Sequence, residues 1–449
     1  MKNILVLGAG QSSPYLIKYL LNHAEENDWF VTVCDRDHDL ALRRINGNAR
    51  ATAIEFEVND TALRKTVIKA CDVVVNMLAP QFQFLIALDC IHFKKHCITA
   101  SYEDVKIHDL NKEAIRAGIL VLNEMGLDPG IDHMLAMSIL EKIRTAGGNV
   151  TKFISYGSGL PAPEVKSNPM NYCITWNARN ITMAGEYGAQ FMENGKIKVL
   201  SLPQIFQRSW RVNVKGIGEL EAYPNRDSLI YQKTFNLPKV KTMIRATLRY
   251  PGWSETWLQI VKLGMPNETM RIPNLKNKSY AEFTEMFLPS ETNGASIESR
   301  TASYLGLNPT GHIIHNLAWL GLFSEEKIGT KLSTAAEVLT DLLKKKMVLP
   351  DGARDMVMLI HEIEAVYPYL DYKREKTTVS FIEYGTPGDH NAIAKTVGLP
   401  AAIAVKLLLT GRINISGCHI PTHPAIYSIV LDELMKEGFI IEEVVEEIK

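Results

Sequence analysis

The chain has 449 residues, too many for one hydrophobic core, which stops growing at roughly 250–300 residues, so two or three domains are expected. Apolar residues make up 46% of it, ordinary for a globular protein, and 49 Lys and Arg nearly balance 50 Asp and Glu. No global field therefore recruits nucleic acid or an anionic membrane, and an anionic ligand must be held by local arginines. Met1-Lys2-Asn3-Ile4-Leu5-Val6 runs into an apolar strand rather than a signal peptide. No apolar run reaches the roughly 20 residues of a bilayer span. The six cysteines, Cys34, Cys71, Cys90, Cys97, Cys173 and Cys418, show no paired CxxC spacing and read as reduced thiols, so a cytoplasmic location is expected.

Residues 1–122 alternate apolar strands with amphipathic helices. The predicted strands are Ile4–Leu7, Val31–Cys34, Ala53–Phe56, Val73–Asn76, Cys97–Thr99 and Leu120–Leu122; helices are predicted over Ser13–His23, Thr61–Lys69, Phe82–Phe93 and Leu110–Ala117. Short apolar strands buried on both faces, alternating with helices, imply a doubly wound parallel sheet of Rossmann type. The first turn, Gly8-Ala9-Gly10-Gln11-Ser12-Ser13, has the composition of a dinucleotide loop. Gly8 permits the tight turn, and Gly10 lets backbone approach a pyrophosphate at the helix N-terminus, while Ser13 replaces the third glycine. Asp35 ends the second strand, where a carboxylate accepts hydrogen bonds from ribose hydroxyls and repels a 2′-phosphate. Arg36 beside it can instead clamp that phosphate. NAD and NADP both stay open, and Asp35 tilts the reading toward NAD.

After the sixth strand comes Asn123-Glu124-Met125-Gly126-Leu127-Asp128-Pro129-Gly130-Ile131-Asp132-His133, leading into a helix predicted over Met134–Ile143. This segment leaves the carboxyl end of a parallel strand, where ligands bind in such sheets. Asp followed by Pro also reads as an N-cap and first helical residue, so Asp128 can cap, catalyse or do both. Residues 124–250 read as mixed strands and helices. Residues 251–347 look mainly helical, with candidates at Ser279–Phe287, Gly311–Leu322 and Ser333–Lys346. Asp355–Ala365 and Thr377–Tyr384 alternate like antiparallel strands, and an Ala-rich helix spans Ala392–Leu409. The expected organisation is a Rossmann domain (1–123 and 386–449), a second α/β (α+β) substrate and dimerisation domain (124–250 and 348–385), and a helical insertion (251–347). His312 with His315, and Cys418-His419 with His423, lack the second ligand pair a zinc site needs, so no metal is expected.

The stretches Asn123–His133 (NEMGLDPGIDH), Gly159–Glu164 (GLPAPE), Tyr223–Ser228 (YPNRDS), Thr247–Tyr250 (TLRY), Trp319–Ser324 (WLGLFS) and Glu383-Tyr384-Gly385 are long, rare words in a fixed order. In them the chain resembles the glutamate-forming saccharopine dehydrogenases, over essentially its whole length. The resemblance implies an oxidoreductase acting on a CH–NH group: reversible, NAD(P)-dependent cleavage of saccharopine to glutamate and 2-aminoadipate 6-semialdehyde, in lysine metabolism. It implies Tyr102 and Asp128 as catalytic residues near the reacting nitrogen. Ser101, Asn177, Arg226, Thr247, Leu248 and Arg249 then bind substrate, the two arginines as carboxylate clamps. Leu78, Glu124, Met125 and Gly126 line the nicotinamide side, and a homodimer, with the C-terminal segment returning to the nucleotide domain, is the expected state.

Three departures stand out. Fungal members commonly carry a cysteine where this chain has Gly157, and Cys-Arg where it has Asp35-Arg36; Tyr172–Trp176 keeps the aromatics with changed neighbours. Two alternatives remain open. One is a reductive condensation of a diamine with aspartate semialdehyde, as in carboxynorspermidine dehydrogenases; the other is a non-catalytic nucleotide sensor on the same fold. Acids in place of Arg226 and Arg249 would favour the polyamine reaction.

Overall fold

A computed structural model describes residues 1–388 and 390–448. They form two compact units, Met1–Val150 with Met356–Lys449, and Thr151–Asp355. The three-part division expected above differs at its boundaries: the Asp355–Tyr384 hairpin falls almost wholly in the first unit, and the helices of residues 253–346 share a unit with the strands that precede them.

In the first unit the chain runs β1 (Lys2–Leu7), α1 (Pro14–Asn22), β2 (Trp29–Asp35), α2 (His38–Ile45), β3 (Ala51–Glu55), α3 (Thr61–Ala70), β4 (Val73–Asn76), α4 (Gln83–Phe93), β5 (His96–Thr99), α5 (Val105–Asp109), α6 (Asn111–Ala117), β6 (Leu120–Leu122) and α7 (Ile131–Thr145). The six strands predicted within residues 1–122 are all present, displaced by at most two residues at their ends. The helices α2 and α5 were missed because they are short, at 8 and 5 residues, HDLALRRI and VKIHD. Their starts are set by Asp37 and Asp104, whose carboxylates accept the Leu40 and Lys106 N–H groups.

The second unit contains β7 (Asn149–Pro161, from its third residue on), α8 (Ala178–Thr182), β8 (Ala189–Glu193), β9 (Lys196–Leu200), α9 (Leu202–Gln207), β10 (Trp210–Val214), β11 (Gly218–Pro224), β12 (Arg226–Asp227), α10 (Ile230–Thr234), β13 (Thr242–Arg249), and helices α11 (Trp253–Lys262), α12 (Tyr280–Glu285), α13 (Ile297–Leu305), α14 (His312–Leu320) and α15 (Ala335–Lys346). Its strands lie in the order β10-β11-β13-β7; only β13 and β7 are parallel neighbours among these, and β8 with β9 extends from β13.

The chain then returns to the first unit with β14 (Asp355–Tyr367), β15 (Lys373–Tyr384), α16 (Ala392–Leu409), β16 (Gly417–His419), α17 (Pro424–Lys436) and β17 (Ile441–Glu447). β14, β15 and β17 pair antiparallel in sequence. β16 joins β6 in parallel and completes a seven-stranded parallel sheet, β16-β6-β5-β4-β1-β2-β3. Strand order reverses between β1 and β4, which opens a crevice beyond their carboxyl ends. Leu5, Leu7, Cys34, Val74, Cys97 and Val121 pack one face of this sheet against α3, α4 and α6 residues. α16 packs on α1, β4 and β5. With a mean hydropathy of 1.7 over 18 residues, α16 has the length and composition of a membrane span, but 78% of it is buried within the protein, as befits a core helix. Gly398 makes the α1–α16 approach possible: a Cβ there would stand 2.9 Å from the Ser12 carbonyl.

Candidate active site

Every first-unit residue expected to bind cofactor or substrate lies at the carboxyl end of a strand of the parallel sheet or in the loop that leaves it. Gly8 (φ 102°) turns the chain out of β1, and a Cβ there would press on the Met77 carbonyl at 3.1 Å. Ser13 folds its hydroxyl back onto the Gly10 carbonyl at 2.8 Å, so it closes the loop and leaves the first N–H groups of α1 without a side-chain cap. Gly10 has open space where a side chain would project, and Gln11 is exposed. An uncapped nine-residue helix behind an open glycine is a cradle that suits a pyrophosphate.

Asp35 is spent on this loop: one carboxylate oxygen accepts the Ala9 N–H at 2.7 Å and the other the Asp37 N–H at 2.9 Å, while Arg36 is exposed. Across the crevice, the turn after β4 is braced by a buried amide pair that sequence reading missed. Asn76 donates to the Gln83 side chain at 2.8 Å and accepts the Leu78 N–H at 3.2 Å; Gln83 donates to the Leu78 carbonyl at 2.7 Å. These bonds fix where Leu78 stands. An Asn ending an apolar strand was the only available signal.

The loops after β5 and β6 are stitched together. Met125 and Glu124 donate their N–H groups to the Thr99 and Ser101 carbonyls, at 2.9 and 3.0 Å. A Cβ on Gly126 would meet Ala100 at 3.1 Å, so this close approach needs glycine. Glu124 itself has φ 61°, uncommon for a residue with a side chain, and its carboxylate accepts the Glu103 N–H at 3.0 Å. On this frame the Tyr102 hydroxyl donates to the Asp128 carboxylate at 3.3 Å, with Asp128 exposed.

The N-cap reading of Asp128 is overturned. The cap position belongs to Gly130 (φ 145°), where a Cβ would overlap the Gly126 backbone, and α7 starts at Ile131; the Asp128–Pro129 peptide is cis. Asp128 therefore stands clear of the helix with its carboxylate outward. Beside it, burial pushes the Glu103 carboxyl above its ordinary range, against the opposing pull of the His108 imidazole 3.1 Å away.

In the second unit, Arg249 is 5% exposed. Its guanidinium lies 4.9 Å from the Tyr172 ring, 5.5 Å from Trp253 and 5.8 Å from Tyr223. One of its terminal nitrogens donates to Ser158 at 3.1 Å and to the Leu248 carbonyl at 2.9 Å, and its Nε has no hydrogen-bond partner among the described residues. Trp253 is delivered to this nest by Glu221, whose carboxylate accepts the Ser254 and Gly252 N–H groups at the start of α11. No sequence signal links residues so far apart. Thr247 hydrogen-bonds Tyr223, whose phenol burial holds above its usual range. Arg226 (φ 55°) is exposed at the head of β12. The loop around it is tied to β13 by the Asn225 N–H on the Arg245 carbonyl and the Arg245 N–H on Ser228. Asn177 caps α8, its side chain accepting the Arg179 N–H at 3.0 Å. Gly157 lies beside Thr247 on β7.

His312 lies 2.7 Å from Glu255, and the His419 ring meets Ser416 and His423. Among the described residues, no group of three or more His, Cys, Asp or Glu side chains is placed to share a metal ion.

Two family models match the chain: the saccharopine dehydrogenase NADP binding domain over residues 4–122 and the saccharopine dehydrogenase C-terminal domain over residues 126–439. The saccharopine dehydrogenase [NADP(+), L-glutamate-forming] of Schizosaccharomyces pombe is 32% identical, over 99% of both chains. That of Saccharomyces cerevisiae is 33% identical over 98% of this chain and 99% of its own. The structure of apo saccharopine dehydrogenase (L-Glu forming) from Saccharomyces cerevisiae superposes with a TM-score of 0.89 at 31% identity, covering 99% of this chain and all of that one. The tilt toward NAD drawn from Asp35 finds no support, since the nucleotide-domain model and these relatives are named for NADP and both Asp35 oxygens hold backbone. The stitched loops beyond a doubly wound sheet, the rare sequence words and the full-length matches agree: the chain belongs to the saccharopine dehydrogenase family of oxidoreductases.

Proposed function

We propose that the protein interconverts saccharopine, water and NADP⁺ with glutamate, 2-aminoadipate 6-semialdehyde, NADPH and a proton, within lysine metabolism. The observation that carries this reading is the full-length identity with relatives named for that reaction, in a chain that keeps Tyr102 and Asp128 in contact.

The fit of the dinucleotide rests on the open glycine loop and the uncapped α1; Gly8, Gly10, Gln11, Ser12 and Ser13 would hold its phosphates. Arg36, exposed beside a carboxylate that is already bonded, would take the 2′-phosphate. Leu78 and Glu124–Gly126 would border the nicotinamide. When bound, the cofactor accepts or returns the hydride. The chain's own part is charge and proton handling. A carboxylate at Asp128 stabilises the cation that develops on the substrate nitrogen as its C–N bond gains double-bond character. Water adds to that carbon, a proton leaves for Asp128, and the Tyr102 hydroxyl passes a proton to the departing amine. Asp128 is exposed, so water can reach it. Arg249, with an unsatisfied buried Nε, and Arg226 are suited to substrate carboxylates, with Ser101 and Thr247 as neutral donors.

Six buried, unpaired cysteines suit a reducing compartment such as the cytoplasm, and a homodimer is the assembly we infer from the family. The test is saccharopine oxidation with NADP and NAD separately, in wild type and Arg36→Ala. Turnover with NADP, and a roughly tenfold rise in the NADP KM with little change for NAD in Arg36→Ala, is expected. Absence of turnover with either cofactor overturns the substrate assignment.

A further inference from the structure

Beneath the loop that carries Asp128 lies a buried imidazole to which the reaction above gives no task. His133, 1% exposed in the first turn of α7, sits between two buried carboxylates. Its Nδ1 is 3.0 Å from Glu124 and its Nε2 is 3.5 Å from Asp132. These are ion pairs rather than aligned hydrogen bonds. Each carboxylate also takes one backbone donor: Glu124 the Glu103 N–H at 3.0 Å, and Asp132 the Gly130 N–H at 2.6 Å.

Those two backbone groups belong to the two site loops. Glu103 follows Tyr102, and Gly130 closes the turn after Asp128. A neutral ring adds no charge between two buried carboxylates, whereas a doubly protonated ring neutralises one of the two charges. The charged or titratable groups around it include Glu124 and Asp132 directly, Glu103 and His108 one layer out, and His361 of β14, whose Nε2 lies 2.9 Å from the Asp132 carbonyl.

We infer that His133 is a positioning residue: as an imidazolium bracketed by Glu124 and Asp132, it locks the left-handed Glu124 backbone and sets the register of Tyr102 against Asp128. The inference rests on the reaction proposed above for its kinetic consequence, but the charge on the ring does not depend on which substrate is used. The effect of His133 runs through the carboxylates that hold the backbones of the two loops.

Two measurements decide it. Ring ¹⁵N shifts in histidine-labelled wild-type protein, with the His133 signal assigned by its displacement in Glu124→Gln, should show both nitrogens protonated at neutral pH. A neutral-ring pattern overturns the proposal. Steady-state kinetics of His133→Gln, Glu124→Gln and the double variant should show kcat lowered at least about tenfold in each single variant, with the saccharopine KM within about threefold. The double variant should be little worse than either single one, because both remove the same strut. Additive losses, or unchanged kcat in a folded variant, overturn it. Should His133→Gln not fold, the Glu124→Gln kinetics and the wild-type ring shifts still decide. If wild type turns over no saccharopine, the functional reading fails while the ring shifts still test the imidazolium.

Discussion

Beyond the parallel sheet, Asp128 and Tyr102 are exposed and bonded to each other on loops whose backbones are tied to neighbouring strands. In the second unit the order is inverted. Arg249 is almost fully buried, walled by Tyr172, Tyr223 and Trp253, and it spends donors on Ser158 and a main-chain carbonyl. In the first region geometry is stored in the backbone and chemistry in exposed side chains. In the second, the charged side chain is itself part of the packing. A substitution in the first should therefore cost rate without stability, and one in the second should cost both binding and stability.

The sharpest test is Asp128→Ala, which should lower kcat by about 100-fold or more while leaving the melting temperature within a degree or so of wild type. A parallel loss of melting temperature would break the distinction. Arg249→Leu should raise the saccharopine KM by roughly 10–100-fold and also destabilise by about 1–2 kcal/mol, through lost cation–π contacts and the lost hydrogen bonds to Ser158 and the Leu248 carbonyl; thermal melts and steady-state kinetics read both. Asn76→Ala sharpens the contrast from within the first unit. There a buried side chain does structural work, so about 1–3 kcal/mol of stability should go, read by urea titration, together with a weaker NADP affinity through the loosened Leu78 turn.

The smallest effect belongs to Glu433. Its hydrogen bonds to Lys436 and Arg412 hold its pKa down, from 4.5 to about 2. A depressed folded-state pKa means the stabilisation is present above pH 4.5 and is lost as pH falls toward 2. Glu433→Gln should thus cost about 1–2 kcal/mol at neutral pH, allowing for screening, and the difference from wild type should vanish in acid denaturation curves near pH 2.

The parallel sheet could be read from sequence because six short apolar strands, each bounded by a turn, admit few other arrangements. Its glycine loop and the Asn123–His133 segment followed from where such strands end. What escaped reading shares one property: its partners lie far apart in the chain. Glu221 capping α11 across 33 residues, and His361 backing Asp132 from 229 residues away, leave no local pattern. Asp128 failed for the opposite reason. Its local signal, Asp before Pro, was strong, but Gly130 takes the cap because only glycine fits against Gly126. Arg249 itself was singled out by rare words alone; the aromatic nest around it was not foreseen, since no periodicity announces it.

Gly398 has one further consequence, for the order in which the molecule can be made. The helix it belongs to closes over Ser12 and α1, and β16 supplies the last strand of a sheet begun at Lys2. A chain emerging from the ribosome therefore finishes the second unit, residues 151–355, while the first still lacks its covering helix and an edge strand. Until residue 398 arrives, the apolar face of α1 and the central strands waits uncovered, and a truncated product ending before α16 should be a client of chaperones rather than a smaller, working dehydrogenase.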